Sequence, residues 1–267
     1  MSLTTLPGAP LGGSPAGVFN GDVAAPRHLL YFEPTPKRIR VEFGGETIAD
    51  STGAHLLFET GLLPVYYFPV ADVRMDLLKP TDHTTHCPVK GQASYWTVSA
   101  GGRTAENAVW GYPDPIAPWL EGFVAFYWDA MDAWYEEDEQ VFAHPHDPYS
   151  RIDVLRSTRR VRVSVDGTVL AESERPMVLF ETGLPVRYYL PREDVRLDLL
   201  EPSDTETWCA YKGRAGYWSY GGEDVAWTYE EPLHDGERVR DLVCFFNEKV
   251  DLEIDGEPQE RPRSRWS

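Results

Sequence analysis

One stretch of this chain occurs twice. Residues 58–97 and 180–219 align at a constant offset of 122 without a gap, and 23 of the 40 aligned positions are identical. A match of that length is an internal duplication, so whatever one half folds into, the other folds into as well. The 267 residues therefore divide into two homologous domains of about 110–120 residues, each large enough for its own core.

The two copies can be compared with each other. Gly61/Gly183 and Leu77/Leu199 are retained as ordinary determinants of a fold. Glu59/Glu181, Arg74/Arg196, Cys87/Cys209 and Lys90/Lys212 are also retained, without an obvious packing role. These are the first candidates for a site.

The local patterns are those of strands. Arg38–Phe43 and Arg160–Val165 alternate polar and apolar residues, as half-buried strands do. Gly44-Gly45 and Asp166-Gly167 then turn each run back on itself, a hairpin signal. Further short runs follow at 56–59, 66–68, 95–98, 108–110, 123–127 and 132–135, with counterparts in the second copy. Arg74–Leu78 reads as another strand closed by Pro80. Residues 69–73 and 118–122 read as single helical turns. No stretch keeps a 3.6-residue period. The expected fold is mainly β: two tandem small β-barrel or rolled-sheet domains, related by a pseudo-two-fold axis. The expected boundaries are a disordered tail over 1–27, domain 1 over 28–139, an ordered connector over 140–157, domain 2 over 158–256 and a tail over 257–267.

Charge limits the partners. With 43 acidic and 25 basic residues the formal net charge is −18, which opposes binding to nucleic acid or to an anionic membrane. No apolar run is long enough to span a bilayer, and the N-terminus lacks the marks of a signal peptide. Three cysteines without a C-x-x-C pair argue against a disulfide framework or a zinc ribbon. A cytoplasmic protein is expected, as a monomer built like an internal dimer or as a homo-oligomer.

Several residue pairs carry possible chemistry. Cys87 and Lys90, like Cys209 and Lys212, stand three apart before a glycine. An ammonium group beside a thiol lowers its pKa, but Cys is equally a small buried hydrophobe and Lys a cover for a turn. Glu59 and Glu181 end one strand, and Arg74 and Arg196 begin another. That arrangement reads as an acid–base pair or as a salt bridge pinning the strands. Tyr67/Tyr189, Tyr95/Tyr217 and Trp110/Trp227 are retained aromatics that belong to the core or stack on a planar ligand. His83, His86 and Cys87 form H-x-x-H-C, but the second copy has Thr205 and Trp208 in place of the histidines. No metal site is therefore assigned, and the cofactor is left unknown. Glu136–Glu139 reads as a solvated edge. Lys37, Arg38, Arg40, Arg159, Arg160 and Arg162 form local basic islands that attract phosphate or carboxylate or, the preferred reading, are charges on edge strands.

The string ETG-x-x-x-x-YY-x-P-x-x-DVR-x-DLL-x-P-(S/T)-D, followed by C-x-x-KG-x-A-x-Y, spans Glu59–Tyr95 and recurs over Glu181–Tyr217. It resembles the DUF427 family, in its tandem two-copy form, over residues 28–256. The resemblance implies a compact, mostly β domain of unknown function. The family is sometimes labelled nucleotidyltransferase-like. This chain has no D-x-D, and its one Gly-Ser lies at Gly13-Ser14, so the metal-holding constellation of familiar nucleotidyltransferases is absent from the sequence. The expected function is binding of a small anionic or planar molecule, in each repeat or between them. Cys87, Lys90, Glu59 and their copies are the candidate catalytic groups if the protein is an enzyme. A structural scaffold is the third reading.

Overall fold

The computed structural model describes residues 28–262. The expected tail over 1–27 lies outside the described residues, as do positions 263–267 of the expected C-terminal tail. Residue contacts divide the chain between Asp147 and Pro148.

The first unit is built from β1 (Leu30–Pro34), β2 (Ile39–Phe43), β3 (Glu46–Ser51), β4 (His55–Glu59), β5 (Val65–Pro69), β6 (Leu78–Cys87), β7 (Gly91–Ala100), β8 (Arg103–Gly111), β9 (Phe123–Phe126), β10 (Ala133–Glu136) and β11 (Glu139–Val141). Seven of these form one sheet in the order β1-β4-β5-β9-β8-β7-β6, and four form another in the order β11-β10-β2-β3. The second unit has β12 (Ile152–Arg156), β13 (Val161–Val165), β14 (Thr168–Ser173), β15 (Met177–Glu181), β16 (Arg187–Leu190), β17 (Glu201–Cys209), β18 (Gly213–Tyr220), β19 (Glu223–Thr228), β20 (Val243–Phe245), β21 (Asp251–Ile254) and β22 (Glu257–Pro258). Its sheets run β12-β15-β16-β20-β19-β18-β17 and β14-β13-β21-β22. The two units thus share one topology, mainly β as expected, and the sheets are open rather than closed into barrels.

The segment read as a connector, 140–157, contributes its ends to strands: Val141 ends β11, and residues 152–156 form β12. The C-terminal segment likewise gives Glu257–Pro258 to β22, which pairs with β21.

The period of two along each strand sorts side chains onto two faces. On β4, Leu56 and Phe58 join the core shared with β2 and β3, where Ile39, Val41 and Ile48 are fully buried. Leu57 points the other way, into a second apolar cluster with Tyr67, Tyr95, Tyr112 and Leu120. The second unit repeats this, with a core around Val161, Leu170 and Phe245 and a second cluster around Leu179, Tyr189, Trp227 and Tyr229. The seven-stranded sheet is therefore apolar on both faces.

Three local expectations are corrected. Arg74–Leu78 is not a strand. Met75–Leu77 forms a 3-10 turn, in which Leu77 N–H donates to Arg74 O at 2.9 Å. Met75 and Leu77 both pack on the core, which imitates strand alternation in sequence. Pro80 does not end a strand either. It lies within β6 opposite Trp96, and β6 is an edge strand, where the missing N–H is tolerated. Finally, the basic clusters do not lie on edges: β2 runs between β10 and β3, and β13 between β14 and β21. Two of the charges are met by neighbouring strands, Arg38 Nε by Asp50 at 2.7 Å and Arg162 Nη1 by Glu253 at 2.9 Å.

Candidate functional site

Glu59 is the last residue of β4 and shares the face of Leu57. Lys90 stands in the tight turn between β6 and β7, directly before Gly91, whose φ is +102°. A side chain there would meet Asp114 O at 3.2 Å, so glycine is needed both for conformation and for space. The turn aims Lys90 back over the sheet, where Nζ donates to Glu59 Oε2 at 2.5 Å. The two side chains are 11% and 8% exposed. His28 Nε2 reaches the other carboxylate oxygen at 2.7 Å. The second unit reproduces the pair: Lys212 Nζ donates to Glu181 Oε2 at 2.5 Å, again before a glycine of positive φ, Gly213.

The expected pairing of glutamate with arginine is thus wrong in both copies, because lysine takes the carboxylate. Arg74 instead forks onto Asp76, with 2.8 and 2.7 Å contacts, and Arg196 onto Asp198 with the same distances. Arg74 N–H donates to Ile48 O, which holds this turn against β3. Both arginines are therefore set on the other side of the sheet from the lysine–glutamate pairs.

The remaining candidates do gather on one face. Cys87 packs into the second cluster beside Tyr67, Tyr95 and Trp110. Trp110 Nε1 donates to Tyr67 Oη at 3.2 Å, and Trp227 Nε1 to Tyr189 Oη at the same distance. Tyr95 and Tyr217 hydrogen-bond through their hydroxyls to Thr85 and Thr207 at 2.9 and 2.7 Å. Tyr67 and Tyr189, expected on a ligand, are each only 1% exposed and form the floor of the cluster. The accessible rings are Trp110 and Tyr127, whose centroids are 4.6 Å apart. Trp227 and Phe246 repeat that spacing at 4.6 Å, but both are buried, at 8% and 7% exposure.

The electrostatics follow from burial. Burial would lower the Lys212 pKa, but Cys209 and Glu181 outweigh it and hold the ammonium protonated. Cys209 stands three residues before Lys212, at the end of β17. Burial raises the phenols of Tyr67 and Tyr112, and the neighbouring acidic groups add to it. Burial and a hydrogen bond with Tyr95 push Tyr127 up to about 12. The face thus presents a lysine–glutamate pair, a cysteine and phenols that burial keeps neutral at Tyr67, Tyr112 and Tyr127.

Sequence reasoning missed four participants. Tyr112 and Tyr229 are buried against the site, and Lys90 Nζ lies 5.8 Å from the Tyr112 ring centroid. They are retained between copies, but beyond a loop that changes the offset from 122 to 117, outside the gapless block. In the second unit Arg187 and Glu248 form a doubly hydrogen-bonded pair at 2.8 Å, buried to 7% and 0%, with Arg187 over Trp227. Val65 and Asp129 occupy those places in the first unit, so identity between copies gave no signal.

His83 lies over the Tyr95 ring at 4.5 Å. Among the described residues no three His, Cys, Asp or Glu side chains gather as a metal cage. The three cysteines are unpaired. Among the described residues no helix is long and apolar enough to cross a membrane.

The model of the family described as a domain of unknown function (DUF427) matches the chain twice, over residues 31–137 and 153–256. No curated protein matches it.

Proposed function

Since the chain belongs to the DUF427 family, with one copy in each unit, we propose that each unit binds a small planar molecule on the outer face of its seven-stranded sheet. The observation that carries this reading is the lysine–glutamate pair, held at 2.5 Å in both copies, on a face whose aromatic pair at 4.6 Å is open at Tyr127 in the first unit and buried in the second. Burying an ion pair costs more in desolvation than apolar packing would. Its retention in both copies fits a polar anchor better than a structural strut. Aromatic walls with a few convergent polar groups suit a flat heterocycle whose polar edge meets both a donor and an acceptor. Because each lysine is already neutralised by its glutamate, a neutral planar ligand fits better than a purely anionic one. In the second unit a cleft of about 240 Å³ opens beside Glu181, lined by Phe180, Thr182, Leu184 and Val186.

The enzymatic alternative rests on the retained spacing of Cys87 with Lys90 and of Cys209 with Lys212, three residues apart at one turn in each unit, where the cysteine would be the nucleophile. Thiol labelling at neutral pH separates the two readings. Modification of Cys87 and Cys209 much faster than that of a free cysteine favours the enzyme, and modification no faster than that favours binding.

The binding reading is tested by saturation-transfer NMR of the full chain with a panel of neutral and anionic planar heterocycles. Saturable binding that weakens in Tyr127→Ala supports it. Tyr127 is 47% exposed, so that variant keeps its fold. Absence of binding across the panel, or indifference to Tyr127→Ala of every ligand that binds, overturns it for the first unit.

A further inference from the structure

The second unit carries a group of positive charge that the first does not repeat. Residues 157–160 link β12 to β13, crossing from one sheet to the other. They run beside the return link between β14 and β15, to which Ser157 N–H is tied by a 3.0 Å hydrogen bond to Pro176 O. Between the links lies a cleft of about 620 Å³, whose lining includes Arg156, Ser157, Thr158, Arg159, Glu174 and Arg175.

Comparison of the units shows why these charges are free. At the offset of 122, Lys37 stands where Arg159 does. Lys37 donates to the buried carboxylate of Glu136, which lies opposite Ile39 in the sheet. In the second unit the residue opposite Val161 is Ile254, and the carboxylate is gone. Arg156 replaces Pro34, adding a second cation. Among the described residues neither Arg156 nor Arg159 takes part in an ion pair, in a chain with 43 acidic side chains to 25 basic ones. Arg175, by contrast, is already held by Asp194 at 3.0 and 3.1 Å and by Glu193 at 3.1 Å. The Ser157 hydroxyl accepts from Arg159 N–H at 3.2 Å, which leaves its proton to donate outward.

We propose that this cleft, in the second unit alone, binds the phosphate group of a small molecule or free phosphate. Two unpaired guanidinium forks and adjacent hydroxyls match the oxygens of a phosphate. Glu174 on the opposite wall excludes an extended polyanion and orients a compact one towards the arginines. This site is independent of the lysine–glutamate pairs.

The test is calorimetric titration of the full chain at physiological ionic strength with inorganic phosphate and, separately, with phenyl phosphate. Saturable binding of one equivalent of either is expected, weakened about tenfold or more by Arg156→Gln or Arg159→Gln, as loss of a charge-assisted hydrogen bond implies. Both arginines are exposed, so neither change threatens the fold. Tighter binding of phenyl phosphate assigns the site to phosphomonoesters, and equal or tighter binding of inorganic phosphate assigns it to the free ion. Lys37→Gln leaves binding unchanged. The proposal is overturned if neither compound binds saturably, if both arginine variants bind like the unaltered chain, or if Lys37→Gln weakens binding as much as they do.

Discussion

Glu136 offers the sharpest perturbation of the first unit. It is 6% exposed. It accepts hydrogen bonds from Tyr66 Oη at 2.8 Å and from His146 N–H at 3.0 Å, contacts His146 Nδ1 at 3.0 Å, and takes a further bond from Lys37. Burial pushes its carboxyl up, but the hydrogen bonds and charges of His146 and Lys37 win and hold it at about 2, against 4.5 for a free glutamate. Above pH 4.5 the group is ionised whether the chain is folded or not, and its full contribution is present. As pH falls towards 2 the unfolded chain takes up the proton first, and that contribution is lost. The difference is worth on the order of 3 kcal/mol. Glu136→Gln removes it, so the variant is less stable than the parent at pH 7 by about that amount and the gap closes between pH 5 and pH 2. Hydrogen exchange followed by mass spectrometry, corrected for the pH dependence of intrinsic exchange, reads this on peptides covering 39–43 and 133–136. Peptides covering 161–165 serve as an internal control, because Ile254 stands in the place of Glu136. Parallel pH curves for parent and variant, or an equal change in the second unit, would refute the reasoning.

Three further outcomes are expected. Lys90→Met takes the ammonium from the buried Glu59, leaving it the contact with His28, and destabilises the first unit by about 3 kcal/mol, while the double variant with Glu59→Gln recovers most of that loss, as urea unfolding would show. Gly91→Ala, strained at φ +102° and 3.2 Å from Asp114 O, costs about 1–3 kcal/mol; Gly61→Ala, with nothing within 4 Å, costs less in the same assay. Burial pushes the Cys244 thiol up to about 12, so iodoacetamide at pH 8 leaves it unmodified in the native chain while the half-buried Cys87 and Cys209 react faster.

Duplication and alternation made much of the fold legible. The Asp166-Gly167 turn has positive φ at both residues, 48° and 80°, as its dipeptide predicts. Alternation does not say which strands are central, so Arg40 and Arg162 were expected on edges and lie on strands inside sheets. Nor does a charge run reveal its partners. Glu136 reads as part of a solvated acidic stretch, yet Tyr66 and His146, distant or disguised in sequence, bury it. The site was half legible. Retention between copies picked out Glu59, Cys87 and Lys90, but not the pairing of glutamate with lysine. That pairing depends on a turn at Gly91 that folds Lys90 back across the sheet, 31 residues from its partner.

Native mass spectrometry of the full chain, purified gently from its own host, tests the central claim most directly. The account predicts a bound small molecule on part or all of the protein, with occupancy reduced in Tyr127→Ala. Bare polypeptide mass for the parent, or a bound molecule whose occupancy Tyr127→Ala does not change, would contradict it.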